Sequence, residues 1–75
     1  MRHLDIIVSL TEEDDRSWTA DAITEPSLLA TVTEGNTRQE AYRRAVGILL
    51  EELSHRIREA EIDLEPGTVE IRAAA

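Results

Sequence analysis

The stretch from Asn36 to Ala60 constrains this chain most, because nothing inside it stops a helix and its apolar residues gather on one side. Thr37-Arg38-Gln39-Glu40 has the form of a capping box, in which the Thr37 hydroxyl accepts from the amide three residues on and Glu40 reaches back to the Thr37 amide. Gly35-Asn36 supplies the positive backbone angles of a sharp turn into the helix. Pro66-Gly67 ends any continuation. A helix from Arg38 to Ala60 is roughly 35 Å long, enough to cross a small sheet.

At helical spacing, Tyr42, Ala45, Val46, Leu49, Leu53, Ile57 and Ala60 fall in one band. Opposite them lie Glu40, Arg43, Arg44, Gly47, Glu51, Ser54, His55 and Arg58. Glu40–Arg44 and Glu52–Arg56 are oppositely charged pairs one turn apart, each contributing about 0.2–0.5 kcal/mol. Ile48 breaks the pattern. It sits at the edge of the polar face beside Gly47, an apolar anchor of the kind interfaces use, although single surface Ile residues are also common. Gly47 costs about 1 kcal/mol against Ala in a helix, and leaves room for another chain to approach.

The flanking segments alternate as strands do. In residues 3–10, Leu4, Ile6, Val8 and Leu10 share one face, with Asp5, Ile7 and Ser9 on the other. Thr11 to Asp15 is a charged hairpin loop without Gly or Pro. In residues 16–23, Trp18, Ala20 and Ala22 oppose Ser17, Thr19, Asp21 and Ile23, and the two Ala residues leave space for close packing under a helix. Trp18 is read as core, with an interface anchor as the alternative. Residues 28–34 make a third strand, with Leu28, Ala30 and Val32 toward the core and Leu29 on the open face with Ile7 and Ile23. After the helix, Ile62 and Leu64 tuck under its end, residues 68–72 form a fourth strand, and Ala73 to Ala75 fray.

Short loops pair consecutive strands antiparallel, and the helix then works as a right-handed crossover to a parallel neighbour. The predicted class is α+β. The order is β-β-β-α-β in one domain over residues 1–75, with a four-stranded mixed sheet of order 3-2-1-4 and one long helix on one face. A chain this small buries only about 60% of its surface. The open face and the unpaired edges therefore predict a homodimer or higher homo-oligomer.

The net charge is −8, and all eight basic residues are Arg. Residues 37–60 hold five Arg against four acids, so the remainder holds three Arg against twelve. That balance argues against direct nucleic-acid binding, which calls for a basic surface, and toward a basic protein partner. There is no Cys, which excludes disulfides and thiolate metal sites. No apolar run reaches membrane-spanning length and Met1-Arg2-His3 does not open a signal peptide, so the chain is expected in the cytoplasm.

No reaction centre is apparent, and no cofactor or metal is expected. Metal-dependent nuclease chemistry needs carboxylates converging on two ions about 4 Å apart. The candidates, Asp5, Glu40 or Glu51, and Glu70, are expected on different surfaces. His3 and His55 lack ligand spacing. The three Gly residues cannot form a phosphate loop. The chain is therefore read as a non-enzyme.

Three stretches carry a family resemblance. Ser17-Trp18-Thr19-Ala20 is similar to an aromatic-Val-Ala second strand, and Pro26-Ser27-Leu28 to a Pro-Asp-Leu loop. Val32 to Ala41 looks like a Gly-Asp-Thr-x-x-Glu-Ala approach to a helix. With this order of elements the chain resembles the N-terminal domain of HicB-family antitoxins over nearly its whole length. It departs where Leu28-Leu29-Ala30 stands in place of the family's Pro-Gly-Cys, and no C-terminal DNA-binding module is expected. The resemblance implies a truncated RNase H-like fold and a function as partner of a small basic RNA-cleaving toxin of HicA type, which it occludes. Glu12, Glu13, Asp14 and Asp15 would speed association, while Ile7 and Ile48 would hold the complex. The alternative is a HicB-like dimerisation module with no toxin partner.

Overall fold

In a computed structural model describing residues 1–74, the chain forms β1 (His3–Glu12), β2 (Trp18–Glu25), β3 (Ala30–Gly35), α1 (Arg38–Arg58) and β4 (Thr68–Ala73). The four strands make one sheet of order β3-β2-β1-β4. β1–β2 and β2–β3 are antiparallel, and β4 is parallel to β1. This is the predicted α+β arrangement. α1 lies over β3, β2 and β1 and stops short of β4.

The core follows the alternation of the first two strands. Leu4, Ile6 and Val8 are buried, as are Ala20 and Ala22 beneath the helix. Trp18, Leu10, Tyr42 and Val46 pack half-buried around them. From the helix, the buried stripe is Ala41, Ala45, Leu49 and Leu53. Ala41 was not in the expected band. It becomes central because the helix sits close enough to β3 for the Thr33 hydroxyl to donate to the Ala41 carbonyl at 3.0 Å. Ile62 is buried against Leu4 and Leu53 under the helix end, with Leu64 beside them, as expected.

The third strand faces the other way from expectation. Ala22 pairs with Thr31 and Ala20 with Thr33, so the Thr row faces the helix while Ala30 and Val32 face outward. Thr24 sets this phase. Its buried hydroxyl accepts from the Leu28 and Leu29 amides at 2.8 and 3.0 Å, which makes residues 25–28 a turn and starts the strand at Ala30. Leu29 consequently packs on the core instead of the open face, and Leu28 is exposed on the turn.

The helix begins as predicted, with the Thr37 hydroxyl accepting from the Glu40 amide at 3.1 Å. The reciprocal half of the capping box is replaced, because the Glu40 carboxylate pairs with Arg44 at 2.8 Å. The Glu52–Arg56 pair also forms, at 2.8 Å. Gly35 does not supply a positive angle. It supplies space: a Cβ there would lie 2.5 Å from the Ala41 nitrogen. The helix stops at Arg58, short of Ala60. Ala60 adopts φ 57°, the Glu61 amide donates to the Arg56 carbonyl at 2.9 Å, and the Ala60 amide donates to the Ile57 carbonyl at 3.1 Å. That is a Schellman end with Ala where Gly is usual.

The first hairpin is tighter than the charged loop expected. β1 runs on to Glu12, Arg16 takes φ 72°, and the Arg16 amide donates to the Glu13 carbonyl at 3.0 Å. At the far end, where fraying was expected from Ala73 on, Ala73 belongs to β4 and the Ala74 amide donates to the Val8 carbonyl at 2.8 Å. Ala75 lies outside the described residues.

Candidate interaction surface

Residues opposite one another in register share a face, so the surface away from the helix can be laid out row by row. Its middle row is Ala30, Ile23, Ile7 and Arg72. Toward the hairpin come Val32, Asp21 and Ser9, then Glu34, Thr19 and Thr11. On the other side Glu25, Asp5 and Glu70 run across three strands. The surface is therefore an apolar strip with carboxylates on both flanks. Val32 is its most exposed apolar member at 65%, and Ile23 is exposed beside it, while Ile7 is half-buried between them and β4.

At the hairpin end, Glu13, Asp14, Asp15, Ser17, Thr19 and Glu34 line a shallow acidic concavity. The Ser17 hydroxyl and amide both donate to the Asp15 carboxylate. The hydroxyl contributes most to holding Asp15 below its ordinary value of 3.8, so this carboxylate stays charged into mild acid.

The expected interface residues separate into two groups. Ile7, Glu13, Asp14 and Asp15 belong to the open face and its acidic end. Glu12 stands opposite Trp18, on the helix-side row, and is exposed. Ile48 is 49% exposed on the outer surface of α1, with the sheet between it and Ile7. One flat partner cannot cover both. Gly47 beside it has nothing within 4 Å of a would-be Cβ.

The candidate nuclease carboxylates are also apart. Glu40 is paired to Arg44 on the helix, and Glu51 is exposed there. Asp5 and Glu70 adjoin on the opposite face. With His3 they offer three ligand atoms within 4.8 Å of one another, an imidazole–carboxylate set suited to a divalent cation. The chain places its own cation there: Arg72 donates to one Asp5 oxygen at 2.7 Å while His3 meets the other at 2.9 Å.

Sequence reasoning placed Asp21 and Ile23 on this face but missed Val32 and Glu34. The signal was the phase of β3, which Thr24, six residues before the strand begins at Ala30, sets through the turn. No helix among the described residues is long and apolar enough to cross a membrane. No family model, curated protein or solved structure matches the chain.

Proposed function

We propose that this chain is a HicB-like interaction protein of antitoxin type, acting in the cytoplasm without catalysis. Its open sheet face receives a small basic RNA-cleaving toxin of HicA type and covers the surface with which that toxin meets RNA. The observation that carries this reading is the apolar strip of Ile7, Ile23 and Val32 set between carboxylates, with the acidic concavity at its end. The β-β-β-α-β order and the 3-2-1-4 sheet, with which the HicB resemblance was drawn, are those of the fold.

The division of labour follows from the chemistry. Carboxylates at Asp21, Glu34 and the hairpin attract a basic surface over a Debye length of about 8–10 Å and orient it. The apolar strip then excludes water and sets the dissociation rate. A toxin face held this way cannot bind RNA, because the same basic residues meet carboxylates instead of phosphates.

A small basic protein is expected from the neighbouring reading frame, and the test is RNA cleavage by that protein, titrated with this chain. Stoichiometric inhibition is expected. Ile23→Lys/Val32→Lys changes two exposed residues and is expected to abolish inhibition while Ile48→Lys retains it. Inhibition indifferent to the double variant would refute the assignment to the open face, and no inhibition by the unaltered chain would refute the antitoxin reading. The second reading, a self-associating module with no toxin, is favoured by one feature, the free β4 edge.

A further inference from the structure

We propose that β4 is a self-recognition edge, through which two copies of this chain pair antiparallel about a two-fold axis at Ile71 to make one continuous sheet. The inference concerns the chain alone and stands whether or not a toxin binds the open face.

β4 ends the sheet, with β1 as its one neighbour. Two bonds fix which of its backbone groups are used. The Thr68 amide donates to the Arg2 carbonyl at 3.0 Å and the Ala74 amide donates to the Val8 carbonyl at 2.8 Å. Backbone direction alternates along a strand, so Thr68, Glu70 and Arg72 face β1. Val69, Ile71 and Ala73 present their N–H and C=O groups outward, with no strand to receive them. An edge of this kind is a template for another strand. On the opposite edge the Glu34 carbonyl is taken by Arg44, which donates to it at 2.8 Å and is held in turn by Glu40.

Side chains choose the partner and the register. A two-fold centred on Glu70 sets Glu70 against its own copy, and one centred on Arg72 sets Arg72 against its own copy. Like charges directly opposite are destabilising. A two-fold centred on Val69 brings Ile71 opposite Gly67, before the strand begins. Centred on Ile71, every position agrees. Glu70 lies opposite Arg72 of the second copy, and this happens twice. Ile71 meets Ile71, and Val69 meets Ala73. The outward-facing residues Val69, Ile71 and Ala73 are then the pairs that exchange backbone hydrogen bonds. Glu70–Arg72 becomes the non-hydrogen-bonded pair, where side chains approach most closely.

Both charged residues are prepared for this. Glu70 makes no ion pair or side-chain hydrogen bond among the described residues, although it adjoins Asp5, another carboxylate. Arg72 uses one terminal nitrogen on Asp5 and has a fork to extend across the edge. On the helix side, Val69 and Ile71 are 42% and 41% exposed because α1 stops short of β4. A second β4 brings matching apolar side chains against them. The contact is small, so micromolar association is expected.

Sedimentation of the purified chain across the micromolar range is expected to show 8.4 kDa monomer giving way to a species of twice that mass. Glu70→Arg is expected to weaken the dimer at least tenfold. The swap Glu70→Arg/Arg72→Glu is expected to restore it and keeps an Arg beside Asp5, so the pair of variants separates interface from folding. The chain has no Cys, so Ile71→Cys is expected to cross-link two copies under mild oxidation while Val32→Cys is not. Monomer at every concentration overturns the proposal. A dimer indifferent to Glu70→Arg, a swap that fails to restore it, or cross-linking at Val32 in place of Ile71 overturns it equally.

Discussion

Ala60→Gly is expected to stabilise this protein, against the general rule that Gly weakens a helix. Ala60 holds φ 57° at the position after the helix cap. A non-Gly residue there pays about 1–2 kcal/mol for its Cβ. Gly removes that strain but gives the unfolded chain more freedom, which costs about 0.4–1 kcal/mol. The two hydrogen bonds of the helix end, from Glu61 to Arg56 and from Ala60 to Ile57, are backbone bonds and survive the change. Ala60 is exposed, so no core contact is lost with its methyl group. The net gain is about 0.5–1 kcal/mol, equivalent to roughly 2–8 °C in melting temperature for a domain of this size. Thermal and urea unfolding followed by circular dichroism measure it. A lower melting temperature would refute the left-handed assignment and return the helix to the longer span expected from sequence.

Gly47→Ala is expected to add about 0.5–1 kcal/mol, since the Cβ meets nothing and the helix gains propensity; a loss in urea midpoint would contradict the open surface seen there. Thr37→Ala is expected to cost about 0.5–2 kcal/mol through loss of the cap, read in the same assay. The depressed Asp15 carboxyl contributes stability above its unfolded value, and that contribution is lost as pH falls through its lower folded value. Asp15→Asn is therefore expected to lower stability by a small constant amount above the ordinary value of 3.8 and to flatten the acid limb below it, so that the two profiles converge in strong acid, as read by urea unfolding at stepped pH.

Alternation made β1 and β2 legible, because Leu4, Ile6 and Val8 contrast with Asp5 and Ser9, and because Ala20 and Ala22 mark where a helix can press down. Crossover handedness then gave the sheet order. β3 was not legible by the same means. Both of its rows mix small apolar residues with Thr, so hydropathy does not choose between them. The choice comes from the Thr24 turn and from the tight fit of Gly35 and Thr33 against Ala41, which are tertiary facts. The helix end was hidden because Ala60, the best helix former, occupies a left-handed position. Of the candidate surface, Ile7 and the hairpin acids were visible. Val32 followed the misread phase, and Glu70 and Arg72 became partners in a register only once β4's outward-facing groups were known.

The association rate of this chain with the small basic toxin that the antitoxin reading requires, measured by stopped flow against salt, tests the central claim most directly. Association is expected to slow several-fold as the Debye length falls from about 30 to 8 Å. Neutralising Glu12, Glu13, Asp14 and Asp15 together is expected to slow association more than it speeds dissociation. A rate that does not respond to salt, or no binding at all, would contradict the account.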